Sequence, residues 1–82
     1  MLFRSRAGAG PYWVWSLRKG TSTPLLSEGP YGPHDLDGAK TYARIAATQG
    51  GHDRAVSLGR DPKVASFKVV RVYAAGTGHR LV

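Results

Sequence analysis

Cysteine is absent from these 82 residues. No disulfide can staple the domain, and no thiolate can bind zinc or act as a nucleophile. Acidic side chains are scarce as well. Five Asp and Glu stand against twelve Lys and Arg, for a net charge of +7 and an isoelectric point near 10.4. Five scattered carboxylates supply no evident acid–base pair, although Asp35 and Asp37 are close enough in sequence to meet. Long apolar runs are missing too. Nothing approaches the roughly 20 residues that cross a bilayer, and Met1-Leu2-Phe3-Arg4-Ser5-Arg6 lacks the apolar core of a signal peptide. The chain reads as soluble and cytoplasmic, without membrane insertion.

The sequence also lacks the usual catalytic signatures. There is no Gly-x-Ser-x-Gly elbow and no phosphate loop ending in Gly-Lys-Ser or Gly-Lys-Thr. Gly8-Ala9-Gly10 and Gly76-Thr77-Gly78 lack the third glycine and the strand–helix setting of a dinucleotide loop. The three histidines have no metal-ligand spacing. His34-Asp35 and His52-Asp53 bracket a helix of about 20 Å, too long for both to reach one ion, and His79 is near the C-terminus. We therefore expect no enzyme, no catalytic residue, no metal and no cofactor.

What is present begins with Trp13-Val14-Trp15-Ser16-Leu17-Arg18. Its alternation is that of a strand with one face on a core. Trp13, Trp15 and Leu17 share one side; Val14, Ser16 and Arg18 share the other. The two tryptophans carry the most apolar surface and are expected to mark the core. Lys19–Thr23 is turn chemistry, and Pro24–Ser27 reads as a short edge strand, because proline has no N–H to give. Glu28-Gly29-Pro30-Tyr31-Gly32-Pro33 reads as a loop and a firm break.

A helix follows, capped by Asp35 or Asp37. Leu36, Ala39, Tyr42, Ala43, Ala46 and Ala47 form its apolar stripe, with Ile45 at the margin. Gly50-Gly51 is expected to end it through a left-handed cap. Arg54–Leu58 is a third strand and Gly59–Lys63 a turn. Ala65–Ala74 is the longest strand, apolar on both faces, which suits a central position or a dimer contact.

The expected fold is a small α+β sandwich. One antiparallel sheet, in the order β-β-α-β-β, carries one amphipathic helix on one face. Its strand–strand–helix–strand–strand order with an apolar first hairpin resembles small bacterial and phage domains, and no motif ties it to one family. Residues 12–75 make a single domain. Residues 1–11 are a basic arm or an edge strand, and 76–82 a loose tail or a short extra strand. A domain of this size buries only about 60–65% of its unfolded surface, so a second copy would help to stabilise it.

The basic balance directs attention to polyanions. Nucleic acid, held mainly through phosphates, is the leading partner; an acidic protein surface is the alternative, and a homodimer is compatible with either. The candidate phosphate-binding side chains are Arg4, Arg6, Arg18, Lys19, Lys40, Arg44, Lys68 and Arg71, with Arg54 or Arg60 extending the helix face. Aromatics such as Tyr12, Trp13, Trp15, Phe67 and Tyr73 would supply base stacking if they lay on an open sheet face. Tyr31, set between two prolines, and Phe67 and Tyr73 on the last strand are the candidate protein-interface residues.

Overall fold

The computed structural model describes residues 11–21, 23–60 and 68–82. They form β1 (Tyr12–Leu17), β2 (Leu25–Tyr31), α1 (Leu36–Gln49), β3 (Asp53–Leu58) and β4 (Lys68–Tyr73). The class is α+β: a four-stranded antiparallel sheet in the order β2-β1-β3-β4, with α1 on one face. Arg4, Arg6 and Phe67, together with the start of the expected last strand at Ala65, lie outside the described residues.

β1 is central, as its content of large apolar residues requires, but the helix takes the face opposite to the expected one. Val14 and Val56 are fully buried beneath Ala39, Ala43 and Ala47. Tyr12 and Tyr73, each 7% exposed, close this core, and Tyr31, Leu36, Leu58 and Val70 pack at its margin. The reason is steric. Three alanine methyls bring the helix close to the sheet, where valines fill the gap; an indole beneath the helix axis would hold it away.

Trp13, Trp15 and Leu17 therefore lie on the other side of the sheet. Trp15 is still only 4% exposed. Its indole N–H donates to Ser57 Oγ at 2.6 Å, and the Ser57 hydroxyl donates to the Gly59 carbonyl at 2.8 Å. Ser57 is fully buried. These two bonds satisfy the polar atoms that this face would otherwise strand, and they tie the end of β3 to the turn after it.

β2 corrects the second expectation. It does not break at Glu28 but runs through Gly29 and Pro30 to Tyr31. Register shifts opposite Tyr12–Trp15 absorb the irregularity, as bulges do. Gly29 has φ +144°, and a Cβ there would lie 2.5 Å from Trp13 Cε3, so the ring packs flat against glycine backbone. Pro30 is tolerated because β2 is an edge of the described sheet.

Asp35 is the N-cap, its side chain accepting from the Gly38 N–H at 3.1 Å. At the other end Gly50 is extended (φ −104°, ψ 178°) rather than left-handed, and its N–H donates to the Ala46 carbonyl at 2.8 Å. A Cβ there would lie 2.9 Å from the Ala46 carbonyl oxygen and 2.8 Å from the tip of Arg54, so glycine leaves room for both. Helix α1 has no basic residue in its last turn. Arg54 supplies that charge from β3, where a cation meets the negative end of the helix dipole.

After β4 the chain turns back along its outer edge. The Gly76 N–H donates to the Ala47 carbonyl and the Ala75 N–H to Asp53 Oδ1, both at 2.7 Å. Arg80 then pairs with Tyr73, and Leu81 and Val82 exchange backbone bonds with Val72. Gly78 (φ +71°) is buried against Arg44 and Thr48, where a Cβ would overlap Thr48 Oγ1.

Candidate polyanion-binding end

Antiparallel pairing fixes which side chains share an end of the sandwich. β1 and β4 run toward the end where the helix finishes; β2 and β3 start from it. Arg18 and Lys19, just after β1, are exposed at this end. Arg54 lies opposite Ser16 on one side and Tyr73 on the other, and Arg80 pairs with Tyr73 in turn. Arg44 comes from the helix and is exposed, its stem and carbonyl held beside Gly78 of the returning tail.

Five cations thus gather at one end. The carboxylate among them is Asp53, which accepts the Ala75 N–H. The other described carboxylates are Glu28 on β2 and Asp35 and Asp37 at the helix start. Positive charge is therefore concentrated at this end, with five cations to one carboxylate against four cations (Lys40, Arg60, Lys68 and Arg71) to three carboxylates over the rest of the described residues, and the field of the five adds constructively beyond their common end.

The cations differ in what they can do. Arg54 Nη1 donates to the His52 carbonyl at 2.6 Å and its Nε is buried, so it is a structural charge with a partly covered head. Arg18, Lys19, Arg44 and Arg80 have exposed side chains. Beside Arg18 a shallow depression lined by Leu17, Thr21, Thr23 and Pro24 follows the hairpin. It is an open dent in the surface, unlike the enclosed clefts that bury most of a small ligand.

Several expected site residues stand elsewhere. Lys40, half-buried, is 3.7 Å from the exposed Asp37, an i,i+3 pair near the opposite end. Lys68 is exposed opposite Leu58, at the end away from Arg18. Arg71 lies opposite Val56, half-buried beside the helix with its Nε covered. The eight-residue set expected from sequence is therefore not one surface. Arg18, Lys19 and Arg44 belong together; Lys40, Lys68 and Arg71 do not join them.

The aromatic expectations change as well. Tyr12 and Tyr73 are core residues and present no stacking or docking surface, which corrects Tyr73 as an interface residue. Tyr31 sits opposite Tyr12 and is half-buried against the core. Burial, then the nearby Glu28 carboxylate, with smaller contributions from Tyr42 and Asp35, pushes its hydroxyl pKa above the ordinary tyrosine value. Trp13 is half-buried, with the Arg60 guanidinium 5.4 Å from its ring centroid. Arg60 is exposed, and its guanidinium makes a cation–π contact with the ring.

Among the described residues no group of three or more His, Asp or Glu is placed to hold a metal ion, and no helix is long and apolar enough to cross a membrane. Arg80 is the member of the basic end that the sequence does not announce. The turn signal Gly76-Thr77-Gly78 marks a reversal, but not that the tail returns along β4. Comparison with protein-family models, with curated proteins and with solved structures finds no match.

Proposed function

We propose that this chain is a small non-enzymatic basic module that contacts nucleic acid, mainly through phosphates, with the end carrying Arg18, Lys19, Arg44 and Arg80. The observation that supports this reading is the concentration of positive charge: five cations and one carboxylate at that end, against four cations and three carboxylates over the rest of the described residues. Exposed Arg and Lys heads exchange condensed counterions for phosphate contacts without base readout, so the expected binding tolerates sequence and depends on salt. Such a partner goes with a cytoplasmic setting, with which the absence of cysteine is compatible.

The test is a titration with labelled single- and double-stranded DNA and RNA at about 50 mM and about 200 mM salt. Replacing Arg18 and Lys19 with Gln should weaken binding to every sequence and flatten the duplex salt slope by about 1.8, or about 0.9 per lost phosphate contact. Lys68→Gln, at the far end, should leave the slope in place. Equal effects from both variants would mean a diffuse response to net charge and would refute a defined binding end. An absence of binding at the lower salt would turn the same cations toward an acidic protein surface, the second partner class that they fit.

A further inference from the structure

We propose that residues 74–82 are a clasp that assembles the basic end, that Asp53 is the positioning residue that closes it, and that closing and polyanion binding are coupled. The inference deepens the polyanion reading and rests on it.

Two of the four exposed cations depend on this segment. The Ala74 N–H donates to the His79 carbonyl at 2.8 Å, and the Leu81 N–H to the Val72 carbonyl at 2.7 Å. These bonds flank Arg80 and hold it opposite Tyr73. Gly78 lies against the helix, where a Cβ would be 3.2 Å from the Arg44 carbonyl oxygen and 3.4 Å from Arg44 Cγ. The segment therefore places Arg80 and braces the stem of Arg44. Arg18 and Lys19, on the β1–β2 hairpin, do not depend on it.

Few interactions keep it closed. Asp53 Oδ1, from β3, accepts the Ala75 N–H, and the Ala47 carbonyl, from α1, accepts the Gly76 N–H. Apart from the buried Gly78, residues 76–82 are exposed, Leu81 and Val82 at 55% and 66%. A segment held by exposed backbone hydrogen bonds over little buried apolar surface opens without global unfolding. Opening would leave Arg80 on a free chain and Arg44 unbraced. A polyanion held by both binds the closed form more tightly. It must then favour closure, and closure must raise its affinity by the same factor.

Asp53 acts on that affinity with two opposite signs. Its charge lowers the positive field of the five cations around it, which is unfavourable for an anionic ligand. Its hydrogen bond to Ala75 secures the segment that carries Arg80. The two effects can be separated by substitution, because asparagine removes the charge and keeps an acceptor, whereas alanine removes both.

Asp53→Asn and Asp53→Ala have equal net charge, so the difference between them reports the hydrogen bond alone. We expect the Ala75, Gly76 and Leu81 amides to exchange about fivefold faster in Asp53→Ala than in Asp53→Asn, the scale of one neutral hydrogen bond. Duplex DNA should bind more weakly to Asp53→Ala by a similar factor, with a salt slope lower by up to about 0.9, one phosphate contact. In an Arg80→Gln background the two variants should bind nearly alike. If Asp53→Ala does not fold, Gly78→Ala carries the test. It forces a methyl onto Thr48 Oγ1 without changing charge, and should weaken binding in a way that Thr48→Ala partly restores. Equal exchange or equal affinity in the two Asp53 variants would overturn the proposal. So would a difference that persists undiminished without Arg80, or a folded Gly78→Ala that binds as the parent does. If the parent binds no nucleic acid, the polyanion reading itself fails and the coupling goes with it; if the parent binds and the Asp53 pair does not differ, the clasp alone fails.

Discussion

Gly29→Ala puts the strongest demand on this account of the fold, because two independent features require glycine at that position. The backbone has φ +144°, a region open essentially to glycine, and a methyl would lie 2.5 Å from Trp13 Cε3. A strained φ costs about 1–3 kcal/mol, and forcing a side chain into a packed contact costs about 1–3 kcal/mol more. The contributions overlap, because β2 can move away from the ring, so we expect a loss of about 2–4 kcal/mol. In a domain of this length that lowers the melting temperature by roughly 10–30 °C, a large part of the total stability of such a small fold.

Gly32→Ala is the matched control. Gly32 has no positive φ, and nothing lies within 4 Å of its missing Cβ. Alanine there should be neutral or stabilising by up to about 1 kcal/mol, through a less free unfolded chain. Urea unfolding followed by circular dichroism gives both values. A double-mutant cycle with Trp13→Ala separates the two causes. The steric part should vanish in that background while the backbone part remains. If Gly29→Ala stayed within about 0.5 kcal/mol of the parent, the usual range for an unremarkable surface change, the packing of β2 on Trp13 described above would be wrong.

Ser57→Ala removes the hydroxyl that bridges the Trp15 N–H and the Gly59 carbonyl and should cost about 1–3 kcal/mol, visible in urea unfolding and in the near-UV signal of the tryptophan. The Tyr31 hydroxyl has a folded pKa raised above its unfolded value of 10.0. Its contribution is therefore fully present below pH 10 and is lost as the pH rises through the folded pKa; Tyr31→Phe should flatten that alkaline fall in melting temperature. Gly78→Ala combines a positive φ with overlap onto Thr48 Oγ1. It should destabilise the fold, and adding Thr48→Ala should recover the steric part alone.

How much of this was legible depends on what each signal encodes. Periodicity reports that a segment has two faces but not which face meets the helix. In β1 both alternating sets are apolar, Tyr12 and Val14 against Trp13 and Trp15, so size pointed to the tryptophans while close packing of alanine selected the valine side. The alanine stripe and the helix ends, a cap at Asp35 or Asp37 and a stop at Gly50-Gly51, are readable because capping and the 3.6-residue repeat are local, and the structure selects Asp35. β2 is not readable, since Gly29 and Pro30 signal a break unless the partner strand supplies a ring for the glycine and an edge position for the proline. Gly50 marks the helix stop, but what the glycine provides is close approach to the Ala46 carbonyl and to Arg54, which arrives from a different element, and not a left-handed cap. The candidate site was half legible. Arg18, Lys19 and Arg44 were chosen by charge and exposure, but Lys40, Lys68 and Arg71 satisfied the same criteria and differ in location, which topology decides.

Topology also explains why a chain with blocks of alternating charge becomes a molecule with a basic end. Each element reverses direction, so every second connection falls at the same end. The β1–β2 turn carries Arg18 and Lys19, the α1–β3 connection leads into Arg54, and the turn after β4 leads into Arg80. All three lie where the helix finishes. The β2–α1 connection, with Asp35 and then Asp37 in the first helical turn, lies at the opposite end. Net charge alone does not specify this arrangement. A chain of the same composition with Arg18-Lys19 moved into the β2–α1 connection would keep a charge of +7 and could keep the same sheet. The two moved cations would then join Lys40 and Lys68, some 20 Å from Arg44, Arg54 and Arg80, the length of the helix. That is about two Debye lengths at 0.1 M salt, so neither end would feel the other.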